Sequence, residues 1–250
     1  MLGQTVHRLS WFARGRTLAD IAQRRPVLNV TLVIFDCDGV LIDSEPIANR
    51  VLVEQLRAIG IVISESEVMR RYIGMTRDQC VALASEMAGR SLPERFAEDW
   101  DAALFTALRN EVKPVPGVVD VLRHLAIPCC VASNGMLPRM RVALESAGLL
   151  PFFEGRMFSA TQVANPKPAP DLFLHAAQAM NVPPDGCVVV EDTTTGVRAA
   201  RAARMAVFGY AGCSHADAGT LVREGAVAVF DDMSRFPMLL REHEQRSDVA

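Results

Sequence analysis

The stretch Thr31-Leu32-Val33-Ile34-Phe35-Asp36-Cys37-Asp38-Gly39-Val40 runs from an apolar, β-branched segment straight into two carboxylates. A short continuous run of this kind reads as a strand buried on both faces. Ligands of open α/β sheets bind beyond the carboxyl ends of the strands, so Asp36 and Asp38 stand where a reaction site belongs. Two neighbouring acids are costly there unless a cation or a reacting group compensates them. A hard divalent cation such as Mg²⁺, which takes carboxylate and phosphate oxygens, is the obvious candidate. Asp and Gly also favour turns, and taken alone the segment reads equally well as a turn after a strand.

Working outward, the interval 45–113 reads as helical throughout. Pro46 suits a first helical position, Ile47, Val51, Leu52, Leu56 and Ile59 follow at helical spacing, and Gly60 stops the run. Helices are predicted over 64–72 and 76–87, and Phe96, Trp100, Leu104 and Leu108 share one face of another. The interval closes at Lys113-Pro114-Val115-Pro116-Gly117, a stiff connector. Beyond it strands are predicted over 127–132, 156–159, 187–190, 205–210 and 227–230, with helices over 138–147, 171–180 and 195–204. This alternation predicts an α/β fold with a doubly wound parallel sheet. The expected core comprises residues 31–44 and 115–250. Residues 45–114 form an inserted all-helical cap domain, poised over the sheet's carboxyl edge as a lid. Residues 1–30, with five arginines against one acid, Asp20, read as a flexible N-terminal extension.

The bulk properties frame the function. A net charge of −3 provides no global basic field to recruit nucleic acid. The longest apolar runs are of strand length, so no membrane span is expected. Six cysteines, several inside apolar runs and none at zinc-site spacing, fit buried thiols in a reducing cytoplasmic compartment. A monomer is expected.

Three more strand ends carry polar groups. The strand over 127–132 ends at Ser133-Asn134-Gly135, which offers a hydroxyl and backbone N–H groups to an anion. Lys167 lies in a proline-rich loop just before a helix, and it is one of only two lysines among 26 basic residues. In so arginine-rich a chain, a lysine marks a place for a compact ammonium rather than a planar fork. The strand over 187–190 ends at Glu191-Asp192, a second acidic pair. A turn, a solvated lysine and a capping acid are individually common; their joint placement at successive strand ends is not.

Asp36-Cys37-Asp38-Gly39-Val40-Leu41-Ile42-Asp43-Ser44-Glu45, Ser133-Asn134-Gly135, Lys167-Pro168 and Glu191-Asp192-Thr193 resemble, in order and spacing, the four motifs of the haloacid dehalogenase superfamily. The resemblance spans residues 31 to about 237, and the helical insertion is similar to the small cap of the β-phosphoglucomutase-like subgroup. Among characterised relatives the chain is most similar to bacterial sugar-phosphate phosphatases of the 6-phosphogluconate type.

The resemblance implies a Rossmann-like core and Mg²⁺-dependent hydrolysis of a small phosphorylated metabolite, a sugar phosphate or sugar-acid phosphate, through an aspartyl-phosphate. It makes Asp36 the nucleophile and Asp38 the general acid-base. Ser133, Asn134 and Lys167 hold the phosphoryl oxygens. Asp36, the Asp38 carbonyl, Glu191 and Asp192 surround the metal, with Glu191 ligating directly or through water. Arg77, with Thr76 beside it, matches the arginine with which the sugar-phosphate mutase's cap grips a second phosphate. A mutase is therefore the first alternative, weakened because Ala48 stands where the mutase has a histidine. A phosphoaspartate signalling or binding domain without turnover is the second.

Overall fold

The computed structural model describes residues 30–72 and 75–249. The expected N-terminal extension, apart from Val30, lies outside the described residues. β1 (Leu32–Phe35), β2 (Cys129–Ser133), β3 (Met157–Ser159), β4 (Cys187–Glu191), β5 (Ala206–Tyr210) and β6 (Ala228–Phe230) form one sheet in the order β3-β2-β1-β4-β5-β6. Every neighbouring pair is parallel. The doubly wound core expected from the alternation is thus present, and its order reverses between β1 and β4. Such a reversal opens a crevice at the carboxyl ends of the two strands. Phe35 pairs in register with Val131 on one side and Val190 on the other, so Asp36 is delivered to that crevice.

The pleat divides the core in two. Leu32 and Ile34 of β1 pack with Leu172, Phe173 and Val197 on one face. Val33 and Phe35 pack with Phe153, Phe208 and Phe236 on the other. Phe35 meets the Phe153 and Phe236 rings edge-on, with centroids 6.4 and 5.8 Å away. Phe236 opens a C-terminal helix (Phe236–Val249) that the apolar spacing did not disclose. Its exposed face is so rich in charge that the helical period is obscured.

After β1 the chain forms α1 (Glu45–Ala58), α2 (Glu65–Tyr72), α3 (Arg77–Ala88) and α4 (Phe96–Glu111), before a further helix leads into β2. Pro46 lies in the first turn of α1, and Val51, Leu52, Leu56, Trp100, Leu104 and Leu108 bury the facing stripes of α1 and α4. The two strands of chain that enter and leave this helical segment are tied together. Asp43 N–H donates to the Lys113 carbonyl at 3.0 Å and Val115 N–H to the Leu41 carbonyl at 3.0 Å. All six cysteines are free thiols, five of them buried, and no described helix is long and apolar enough to cross a membrane.

Candidate active site

The side chains at the crevice come from four separate loops. Asp36 follows β1 and is 7% exposed, while its N–H bonds the Val190 carbonyl at 3.0 Å, which fixes it against β4. Lys167, 3% exposed, places its Nζ 2.5 Å from Asp36 Oδ1 and 2.7 Å from Glu191 Oε1. The ammonium also stands 4.6 Å from the centre of the Phe173 ring, which opens its π face to it. Asn134 holds the lysine's backbone from both sides. Its Oδ1 accepts the Lys167 N–H at 3.0 Å and its Nδ2 donates to the Lys167 carbonyl at 3.2 Å. The buried Ser133 hydroxyl accepts the Gly135 N–H at 3.0 Å.

Glu191 is fully buried and both of its oxygens are engaged. Oε1 faces Lys167, and Oε2 accepts from the N–H groups of Asp192 (3.0 Å) and Thr193 (2.9 Å) and from the Thr193 hydroxyl (2.9 Å). Thr193 caps the following helix, α9 (Thr194–Ala202; α5 to α8 are Val118–His124, Leu137–Ser146, Leu150–Phe153 and Asp171–Ala179), by accepting the Gly196 N–H. A Cβ on Gly196 would overlap the Glu191 carboxylate, so glycine is what lets the acid lie against the helix end. Both Glu191 oxygens thus brace the loop, and of the expected contact with a metal, directly or through water, this arrangement leaves more room for the second.

Asp192 is 2% exposed. Its Oδ2 receives the His215 Nε2 at 2.7 Å, with Cys213 Sγ at 3.5 Å; its Oδ1 is buried without a partner among the described residues. Burial lowers the His215 imidazole from its usual range, and facing a carboxylate oxygen its Nε2 is placed to donate. Gly39, at φ +82°, closes the same corner, because any side chain there would strike Asp192.

The charges do not balance. Burial pushes Asp36 well above the usual carboxylate range, Lys167 pulls it back, and Glu191 and Asp192 push it further up. Asp192 is raised by burial and by Glu191. Lys167, which burial alone would discharge, is held protonated by Asp36 and Glu191. Three buried carboxylates around one ammonium, with one carboxylate oxygen orphaned, fit a hard cation bound between Asp36 and Asp192.

Asp38 shows a partner the motifs did not reveal. Its Oδ1 accepts from the Ser44 hydroxyl and lies 2.5 Å from Arg139 Nη2 of α6. Arg139 carries no periodic or motif signal beyond its distance from Ser133, and only the fold turns it toward Asp38. Above this level the helical segment closes a cavity that Asp36, Asp38, Ser133 and Lys167 line from below and Asn49, Arg77 and Trp100 from above. The structure thus brings Arg77 to the cavity, but its Nε is 2.7 Å from Asp101 Oδ2 of α4. Thr76 is not brought there. Its hydroxyl accepts the Gln79 N–H at 3.3 Å while Gln79 Oε1 accepts the Thr76 N–H, a capping box that starts α3.

Residues 30–204 match the family of haloacid dehalogenase-like hydrolases. The 6-phosphogluconate phosphatase of Escherichia coli (strain K12) is 30% identical over 211 residues, covering 84% of this chain and 94% of that protein. The fructose-1-phosphate phosphatase of the same organism is 33% identical over 176 residues, covering 69% and 92%. A haloacid dehalogenase-like protein of unknown function from Agrobacterium tumefaciens superimposes with a TM-score of 0.73 at 37% identity, covering 85% of this chain and 98% of that one.

Proposed function

Because the chain belongs to the haloacid dehalogenase-like hydrolases, as a phosphatase of that family, we propose that it hydrolyses a small sugar phosphate or sugar-acid phosphate through an aspartyl-phosphate on Asp36. The observation that carries this reading is the pairing of Asp36 with Lys167, two residues before a second, more accessible acid, Asp38. The ammonium offsets part of the effect of burial on the Asp36 carboxyl, favouring the carboxylate, and Asp36 lines the cavity. That carboxylate attacks phosphorus, the ester P–O bond breaks, and Asp38 gives its proton to the departing alkoxide. In the second half-reaction Asp38 takes a proton from water as the water oxygen attacks the acyl phosphate, which frees Asp36 and inorganic phosphate.

Ser133 and Lys167 are the donors within reach of the nonreacting phosphoryl oxygens, and Asn134 fixes the loop that carries Lys167. Asp36, Asp192 and the Asp38 carbonyl would hold Mg²⁺, which would supply positive charge to offset that of nucleophile and phosphoryl. His215 and Glu191 orient Asp192 from behind. Residues 45–114 act as a cap that excludes water from the first step and admits it for the second. Arg139 and Ser44 hold the Asp38 side chain in place.

The test is phosphate release from a panel of sugar phosphates with and without Mg²⁺, using wild type and Asp36→Asn. Metal-dependent release by wild type, and none by a folded Asp36→Asn protein checked for reversion to Asp by mass, is the expected result. Normal turnover by the intact variant overturns the assignment.

A further inference from the structure

Resting on the phosphatase reading, we infer that the cap side of the cavity selects an uncharged polyhydroxylated leaving group, a sugar or alditol, and disfavours esters that carry a second anionic group.

Arg77, Arg139 and Lys167 are the cations around the cavity among the described residues, and each is already matched by a carboxylate. Arg77 Nε is 2.7 Å from Asp101 Oδ2, with Asp78 Oδ1 3.5 Å from Nη1. Arg139 Nη2 is 2.5 Å from Asp38 Oδ1, and Lys167 bridges Asp36 and Glu191. The Arg77 and Asp101 side chains are only 28% and 22% exposed, so water does little to screen them. A carboxylate or second phosphate entering from the cap side would have to take an arginine away from its partner and leave that partner's charge bare. It would also approach Glu45, a cavity-lining carboxyl that burial and then Asp38 push up to about 7 and that is therefore partly ionised at neutral pH.

Hydroxyl groups meet the opposite situation. The amide of Asn49 lines the cavity at 7% exposure with no hydrogen-bond partner among the described residues. One residue from Asp101, the buried Trp100 Nε1–H has no acceptor. Asn49 offers a donor and an acceptor without net charge, and the Arg77–Asp101 pair offers both again at its edges. A neutral chain of hydroxyls can bond the Asn49 amide and the edges of the Arg77–Asp101 pair and leave the ion pairs intact. A polar site built in this way discriminates against molecules that lack the matching groups more sharply than an apolar pocket does.

The deciding measurement is kcat/KM for a hexitol monophosphate, a hexose monophosphate, 6-phosphogluconate, a hexose bisphosphate and 4-nitrophenyl phosphate, with Mg²⁺. Wild type is expected to favour the two neutral esters over the two anionic ones by about tenfold or more. Asp101→Asn, which releases Arg77, is expected to raise the ratio of 6-phosphogluconate to hexitol phosphate by about tenfold. Asn49→Leu is expected to lower the ratio of hexitol phosphate to 4-nitrophenyl phosphate by a similar factor. Thermal unfolding establishes that each variant is folded, and the wild-type ratio decides the matter if one is not. A wild-type preference for the anionic esters, or an unchanged ratio in folded Asp101→Asn, overturns the inference while the phosphatase reading stands. Failure to hydrolyse any ester, 4-nitrophenyl phosphate included, removes both.

Discussion

Lys167 Nζ lies 2.5 Å from Asp36 Oδ1 although 131 residues separate the two in sequence, and the lysine side chain is only 3% exposed. The same nitrogen reaches Glu191, so this one ammonium holds two carboxylates that arrive from the adjacent strands β1 and β4.

Lys167→Met should therefore be costly to the fold as well as to activity. Breaking a buried ion pair typically costs about 3–5 kcal/mol, because the remaining charge has no compensation. A fall in Tm of about 6–15 °C at pH 7 is expected from the usual scaling. The deficit should narrow toward pH 5, as the raised carboxyl groups Asp36 and Asp192 take up protons. A Tm within about 2 °C of wild type, at this level of precision, would show that the lysine is not compensating these acids.

Metal binding can be read without turnover. Mg²⁺ should raise the Tm of the wild-type protein, since a ligand that binds only the folded state stabilises it. Asp192→Asn should lose most of that rise while gaining stability without metal, because a buried, partly orphaned carboxylate becomes a neutral amide. Equal rises in both proteins would take Asp192 out of the metal set.

Gly196→Ala tests whether Glu191 braces the site through its contact with the helix end. The new methyl group overlaps the Glu191 carboxylate, and overpacking of this kind costs about 1–3 kcal/mol. Urea unfolding should show that loss. Because the carboxylate can only retreat from Lys167, kcat should fall by at least about tenfold. Unchanged kcat in a destabilised protein would separate the helix contact from the chemistry.

Glu45 links stability to pH. Its carboxyl is raised from 4.5 to about 7, mainly by burial, so the folded state binds the proton more tightly than the unfolded chain. Stability from this group is complete below about pH 4.5 and is lost as pH rises to about 7. Glu45→Gln mimics the protonated form. Without metal it should raise Tm by a few degrees at pH 8, on the order of 1–2 kcal/mol, and leave Tm unchanged at pH 5. A rise of the same size at both pH values would mean the carboxyl is not titrating in this window.

Each β-strand was legible as a local apolar run, and observed and expected boundaries differ by about two residues at most. The four helices α1 to α4 were equally legible, since α1 and α4 bury one face and keep 3.6-residue periodicity. Less of the candidate site could be read. Asp36, Ser133, Lys167 and Asp192 stand at strand ends and in a loop whose positions follow from the alternation alone. Arg139, His215 and Asp101 stand in no motif.

The sequence by itself therefore determined the succession of strands and helices along the chain, the acids at the strands' carboxyl ends and the family they spell, because apolar periodicity and motif spacing are properties of neighbours along the chain. Only the tertiary structure decided how each charge is satisfied: Arg139 on Asp38, Asp101 on Arg77, His215 on Asp192, and both oxygens of Glu191 on Lys167 and the Asp192-Thr193 amides. Such pairings depend on distances of a few ångströms between residues brought together by packing. An ion pair or an orphaned oxygen is defined by those distances and by the exclusion of water around them, and neither is written into the order of the residues.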